Sequence, residues 1–160
     1  MADAQPVARD LNLLVAGETL VAAFLLIAVT LAMHGFGMLV ALKTHNRLHQ
    51  RLARFRGPLV GMVPLIIGSW LILVTHLCEL AVWALFVRGL QALPDFSDAF
   101  YFAILEYTTV GSRFTLPDHW RGLEGAIAMD GLLSFAWSTA VLISMALKFE
   151  RRYLSESDPG

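Results

Sequence analysis

Residues 96–114 read FSDAFYFAILEYTTVGSRF, and this stretch decides how the rest of the chain is interpreted. Its apolar part, residues 96–110, holds 15 residues. That is too few for a helix to cross a hydrocarbon core of about 30 Å. Asp95 and Ser97 are candidate caps for the start of a helix, and Asp98 adds negative charge to its first turn. The length therefore predicts either an interfacial helix or a re-entrant segment, and a helix that enters a membrane from one face and returns as extended chain fits the pattern.

Three longer apolar segments lie on either side of this stretch, and each predicts a transmembrane helix. They are residues 19–42, with His34 inside, residues 58–87, with His76 and Glu79, and residues 123–147, with Glu124 and Asp130. Hydrophobic residues make up 57% of the 160 residues and charged residues 16%, which excludes an ordinary soluble domain. Cys78 is the single cysteine, so the chain has no internal disulfide framework.

Basic residues predict the orientation of these helices. The loop at residues 43–57 contains basic residues and no acidic one, which places it in the cytoplasm under the positive-inside rule. The tail at residues 148–160 begins with further basic residues, so we expect it on the same side. Three crossings then put residues 1–18 outside, and residues 96–114 enter the membrane from that face.

The basic loop allows a second interpretation. Leu48, Leu52 and Phe55 recur at helical spacing, which suits either an extension of the first helix or a helix that lies on the membrane. In the second case anionic lipids would be bound by the basic side chains, Arg47, Arg51 and Arg54. The alternative is that these residues act only as a topology signal.

The residues after the short apolar segment carry the functional signal. Thr109, Val110 and Gly111 form a T-V-G run, whose backbone carbonyls can replace the hydration shell of an ion. The chain resembles bacterial two-transmembrane potassium-channel-like proteins of the ion-channel family. The resemblance covers about residues 60–147 and is carried by F-S-D-A-F-Y-F-A-I-L-E-Y-T-T-V-G-S, L-P-D-H-W-R and G-L-L-S-F-A-W-S-T-A, with H-L-C-E and W-A-L-F before them.

The resemblance implies an all-α membrane protein with three transmembrane helices, a re-entrant pore helix and a filter loop. It implies a homotetramer, because one loop cannot enclose an ion. Within a pore module at residues 58–147, the outer helix would be 58–87, the pore helix and filter 96–114 and the inner helix 123–147, while the helix at 19–42 is an addition. We expect a bacterial inner-membrane protein that passes K⁺ or Na⁺, with no cofactor, no nucleic acid and no enzymatic activity.

Aligned residue by residue, the resemblance assigns Thr108 to the end of the pore helix and residues 109–111 to the inner half of the filter. The next positions depart from the family, since Ser112 replaces a tyrosine, Arg113 a glycine and Phe114 an aspartate. A residue other than glycine would cost roughly 1–3 kcal/mol where the backbone needs a positive φ. Four arginines at the mouth would also repel cations. We therefore expect a weakly selective channel, with a non-conducting pore-fold protein for signalling or assembly as the alternative.

Four further residues are candidates for supporting roles. Glu106 lies one turn before the end of the run, where it could brace the loop or neutralise Arg113 of a neighbouring copy. Asp130, Gly131 and Ser134 fall midway along the last helix. There they could line a water-filled cavity, with Gly131 as a hinge, or they could pack against other helices.

Ionisable residues inside a membrane segment are functional candidates by default. His76 and Glu79 lie three residues apart and therefore share a helix face. They could form a structural pair, sense protons, or bind a metal with His34 as a third ligand. Two ligands on one helix are too few for a metal site, so none is assigned, although a membrane metal-binding protein stays open as an alternative. No Ser–His or Cys–His constellation indicates a nucleophilic enzyme.

Overall fold

The computed structural model describes residues 4–55 and 58–154, and all regular structure in these ranges is helical. The described residues form four α-helices, with 3₁₀ turns at Leu52–Arg54 after the first helix and Asp118–Trp120 before the last. The helices are α1 (Ala4–Arg51), α2 (Pro58–Gly89), α3 (Phe96–Tyr107) and α4 (Gly122–Leu154). Residues 1–3, 56–57 and 155–160, which include two residues of the basic loop and six of the 13 residues of the predicted tail, lie outside the described residues.

Three stretches are long and apolar enough to cross a membrane, which confirms the three predicted apolar helices. They are Gly17–Arg54, Leu59–Gly89 and Gly122–Arg151. The fold is therefore that of an all-helical chain suited to a membrane.

The structure extends the first helix at both ends. α1 runs for 48 residues from Ala4 to Arg51, so it includes most of the predicted N-terminal segment and most of the predicted basic loop. Of the two interpretations of Leu48 and its neighbours, the helical extension is therefore what the structure shows up to Arg51. Apolar and basic side chains at helical spacing allow this continuation because no glycine or proline interrupts residues 38–56.

α3 begins and ends close to the predicted positions. Asp95 precedes it in extended conformation, with φ −89° and ψ 132°, but its side chain makes no capping hydrogen bond. The helix has 12 residues and buries Ala99, Phe102, Ala103 and Tyr107 along one face. That spacing of three to four residues is what an amphipathic helix needs to pack one stripe into a core.

The chain divides into two compact units, each of which is described by itself. Unit 1 comprises the described parts of residues 1–32 and 79–133, and unit 2 those of residues 33–78 and 134–160. The core of unit 1 is built around the fully buried side chains of Trp83, Phe102 and Tyr107. The core of unit 2 consists of Met38, Ala41, Ile72, Val141 and Met145. In the loop after α3, Leu116 is buried in the same core as that helix.

Candidate functional site

The backbone closes the end of α3 with a Schellman motif. Thr108 is the C-cap residue, with φ −86° and ψ 2°. Beyond it, the Thr109 N–H donates to Glu106 O at 2.9 Å and the Val110 N–H to Leu105 O at 2.9 Å. These are the two bonds that define the motif. The helix thus ends at Tyr107, one residue before the position at which the sequence predicted its end.

Every backbone N–H from residue 108 to residue 112 points back toward α3. Besides the two bonds of the motif, the Thr108 N–H donates to Ile104 O and the Gly111 N–H to Leu105 O. The Ser112 N–H donates to the carboxylate oxygen Oε1 of Glu106 at 2.7 Å. In a trans peptide the C=O points opposite to the N–H. The carbonyls of residues 108–111 therefore point away from α3, and none accepts a hydrogen bond from the part of the chain that the structure describes.

The backbone angles explain why four successive carbonyls share a direction. Thr109 and Gly111 have positive φ, 60° and 81°, while the φ of Thr108 is negative and Val110 is not among the positive-φ residues. Alternation between right- and left-handed conformations gathers successive N–H groups on one side. Glycine adopts such angles at little cost, whereas a β-branched threonine does not. The two hydrogen bonds of the Schellman motif therefore maintain Thr109 in this strained conformation.

The loop is exposed in the single chain. Thr108, Thr109 and Gly111 are exposed. Val110 is 72% exposed, which is unusual for an apolar residue in a buried or membrane-embedded loop. A surface of unpaired carbonyls beside an exposed valine needs either water or further protein to cover it.

Glu106 holds the returning chain. Its Oε1 accepts the Ser112 N–H, which is the contact that the bracing interpretation requires. The Ser112 hydroxyl oxygen in turn accepts the Phe114 N–H at 3.0 Å, so Ser112 turns the chain instead of extending the row. Arg113 is exposed, and its guanidinium carbon lies 5.9 Å from the centre of the Phe114 ring. Pairing between Glu106 and Arg113 of a neighbouring copy stays a prediction.

The parts of α2 and α4 that belong to unit 1 hold the last turn of α3 in place. The Tyr107 hydroxyl donates to Glu79 Oε2 on α2 at 2.5 Å, and both side chains are fully buried. On α4, a Cβ added to Gly131 would overlap the Tyr107 carbonyl oxygen and lie 2.8 Å from its carbon. The structure therefore links Glu79 to α3, the predicted pore helix.

The predicted cavity residues lie in the interior of the chain. Asp130 is fully buried and its Oδ2 accepts the Trp83 indole N–H at 2.7 Å. Gly131 is buried inside the continuous helix α4, and Ser134 is fully buried as well. These positions belong to the same i, i+3, i+4 stripe as Ile127, which faces the core. In the single chain Asp130 is therefore a hydrogen-bonded packing residue, and the water-filled cavity and the hinge stay predictions.

Unit 2 contains a second polar cluster. His76 Nε2 on α2 lies 2.9 Å from the Ser138 hydroxyl oxygen on α4, and His34 Nε2 on α1 lies 3.2 Å from the same oxygen. All three residues are buried. Ser138 also lies 3.9 Å from the Met38 sulfur. The sequence identified both histidines but not their contacts with Ser138 and Met38, although Met38 follows His34 by four residues and so shares its helix face.

One further histidine pair was missed. His45 and His49 have the i, i+4 spacing on α1, and their rings are stacked with centroids 5.9 Å apart and planes inclined by 18°. His45 is buried. The H-x-x-x-H spacing itself was the available signal, because residues four apart on a helix lie side by side.

Comparison of the chain with models of protein families, with curated proteins and with solved structures found no match. The class of the protein therefore rests on its fold and site. The described residues form an all-helical chain with three helices that could span a membrane. The short helix α3 is followed by a loop with a row of backbone carbonyls at residues 108–111.

Proposed function

We propose that this protein is a potassium-channel-like cation channel whose filter is the loop at residues 108–111. The observation that carries the proposal is the row of four carbonyls that turn away from α3 and accept no hydrogen bond from the described residues. Carbonyl oxygens in such a row can replace the hydration shell of a monovalent cation such as K⁺ or Na⁺.

The electrostatics of the loop favour a cation. The C-terminus of a helix carries a partial negative charge of roughly half an elementary charge, and the row begins at the C-terminus of α3. The Glu106 side chain adds a carboxyl group directly behind the loop. These groups lower the energy of a positive ion in front of the carbonyls.

A homotetramer follows from the geometry of one loop. A single row of carbonyls contacts an ion from one side only, so several copies must surround the ion to replace its water. Assembly around an axis would also cover Val110, which is 72% exposed in one chain. α3 would then be the re-entrant pore helix, and α2 and α4 the outer and inner helices.

The distribution of charge supports a cytoplasmic location for unit 2. Eight of the 12 basic residues belong to unit 2, whereas ten of the 13 acidic residues belong to unit 1. With the basic loop at residues 43–57 in the cytoplasm, three crossings would put the loop at residues 108–111 at the outer face of a bacterial inner membrane. The basic residues Arg47, Arg51 and Arg54 would lie near anionic lipids.

The altered residues explain why we propose weak selectivity. The Gly111 carbonyl is the last one in the row, and after it the Ser112 hydroxyl accepts the Phe114 N–H and turns the chain. A shorter row offers fewer carbonyl sites at which ions of different size can be distinguished.

A non-conducting pore-fold protein is the second candidate, and Arg113 is the residue that favours it. Its side chain is exposed two residues after Gly111, and four such charges around an axis would oppose cation entry. The two candidates differ in what happens when the charge is removed.

The double variant Ser112→Tyr, Arg113→Gly tests the assignment of the filter. In liposomes, the variant should carry more K⁺ relative to Na⁺ than the wild type, because the carbonyl row is extended and the charge is gone. Arg121→Gly, which removes an exposed arginine outside the loop, serves as the control and should leave the ratio unchanged. A double variant with the wild-type ratio would contradict the assignment.

A further inference from the structure

A groove that is apolar at one end and basic at the other runs along α4 in unit 2. It is a cavity of about 380 Å³, and its lining residues are Ala140, Ile143, Ser144, Leu147, Lys148 and Arg151. Residues spaced by three or four positions share one face of a helix, so the groove follows a single stripe of α4. The polarity of the stripe therefore changes along the helix, from apolar side chains to a hydroxyl and two cations.

The length of this stripe matches one leaflet of a bilayer. At 1.5 Å per residue, residues 140–151 extend over roughly 16 Å. Half of a hydrocarbon core of about 30 Å is about 15 Å. In a membrane-spanning α4, the apolar part of the groove would face acyl chains and its basic end would lie at the level of the headgroups.

α1 brings further positive charge to the basic end of the groove. The Lys148 ammonium donates a hydrogen bond to Asn46 Oδ1 on α1 at 2.9 Å, so the two helices meet there within unit 2. Arg47 follows Asn46 directly. Glu150 is the one acidic residue among the described residues of unit 2. An excess of cations at one membrane level attracts anionic headgroups.

We infer that this groove binds one anionic phospholipid, with the phosphate at Ser144, Lys148 and Arg151 and an acyl chain along the apolar stripe. The Lys148 ammonium has three protons, and the bond to Asn46 uses one of them. A guanidinium can donate two parallel hydrogen bonds to a phosphate, and the Ser144 hydroxyl adds another donor.

The charge of the groove favours a lipid over a second copy of this chain. A second copy that covered the groove in a symmetric contact would bring its own Lys148 and Arg151 to the same level, where like charges repel. An anionic lipid neutralises them instead. The site is separate from the filter loop and from the basic side chains of α1, and it requires only that α4 spans a membrane.

Two double variants test the phosphate end of the site. Delipidated protein in detergent is titrated with phosphatidylglycerol or phosphatidylcholine of the same chain length, and bound lipid is counted by native mass spectrometry. We expect one phosphatidylglycerol per wild-type chain and at least tenfold weaker binding of phosphatidylcholine. Lys148→Gln with Arg151→Gln should weaken phosphatidylglycerol binding at least tenfold, since each cation contributes about fivefold.

The control removes the same number of charges from α1. Arg47→Gln with Arg51→Gln lies outside the groove and should change the affinity for phosphatidylglycerol by less than about threefold. An equal loss in both double variants would show that anionic lipid is attracted by the basic surface in general, which would overturn the inference. Displacement of the lipid by an equal concentration of inorganic phosphate would overturn it as well.

A second pair of variants tests the apolar end without a change of charge. Ile143→Trp places a larger side chain in the groove and should weaken phosphatidylglycerol binding at least fivefold. Leu39→Trp on α1 is the matched control, because Leu39 and Ile143 are each 54% exposed. Helical circular dichroism should be unchanged in both variants. Wild-type affinity in Ile143→Trp, or no preference of the wild type for phosphatidylglycerol, would contradict the lipid site.

Discussion

Gly131 is the residue at which α4 comes closest to the end of α3. A side chain at this position would overlap the Tyr107 carbonyl oxygen, which is backbone and cannot rotate away. The close approach of the two helices therefore requires glycine at this position, and Gly131 has a packing role at the end of α3.

Substitution of Gly131 should be far more harmful than substitution of a neighbouring glycine. We expect Gly131→Ala to destabilise the protein by about 1–3 kcal/mol or more, because the added methyl group forces α4 away from α3. Gly125→Ala is the matched control, since a Cβ there meets no atom within 4 Å. That substitution should be neutral or stabilising by up to about 1 kcal/mol.

The measurement for both variants is reversible unfolding in mixed detergent micelles, followed by circular dichroism. Equal stability of Gly131→Ala and Gly125→Ala would show that the approach of α4 to Tyr107 is absent in solution.

Glu106 acts at the same scale through one hydrogen bond. Its carboxylate accepts the Ser112 N–H, so loss of the acceptor should leave that amide open to solvent. We expect hydrogen exchange at Ser112 to accelerate in Glu106→Ala and to stay near the wild-type rate in Glu106→Gln, which keeps a side-chain oxygen. Unchanged hydrogen exchange at Ser112 in Glu106→Ala would show that Glu106 does not accept the Ser112 N–H in solution.

At the scale of the element, the end of α3 stores backbone strain at Thr109. A β-branched residue in the left-handed region costs of order 1–3 kcal/mol, and glycine is the usual residue at this position of a Schellman motif. We therefore expect Thr109→Gly to stabilise the protein by about 1 kcal/mol.

Thr108→Gly is the control for that substitution. Thr108 has a negative φ, and its hydroxyl donates to Ile104 O at 2.8 Å, so glycine there should destabilise the protein. Unfolding in detergent micelles gives both values, and a destabilised Thr109→Gly would show that the left-handed conformation is not maintained.

The elements were more predictable from the sequence than their contacts. The long apolar runs indicate α1, α2 and α4 directly, and the 15-residue run that ends before Gly111 indicates a short helix. The faces of these helices could not be assigned in advance. Asp130 and Ser134 suited a cavity and a core equally well, and only the structure shows that both side chains are buried within the single chain.

The same limit applies to the polar clusters. Sequence spacing relates His76 to Glu79, because both lie on one helix, but it cannot relate either to Tyr107 or Ser138 on other helices. The hydrogen bond between Glu106 and Ser112 could be predicted from the sequence, since both residues are close along the chain. The row of carbonyls could not be predicted, because it depends on a left-handed conformation that a β-branched residue such as Thr109 rarely adopts.

At the scale of the whole molecule, the proposed function assigns each unit a separate part. Unit 1 contains α3, the loop at residues 108–111 and most of the acidic residues. Unit 2 contains most of the basic residues and the histidine cluster.

Cation flux through the wild-type protein in liposomes tests the central claim most directly. Vesicles loaded with K⁺ or Na⁺ are compared with vesicles that contain Gly111→Val, in which a β-branched side chain opposes the φ of 81° although no atom lies within 4 Å of its Cβ. We predict flux of both ions through the wild type and its loss in Gly111→Val. No flux of either ion through the wild type at any pH or voltage, or equal flux through Gly111→Val, would contradict the account.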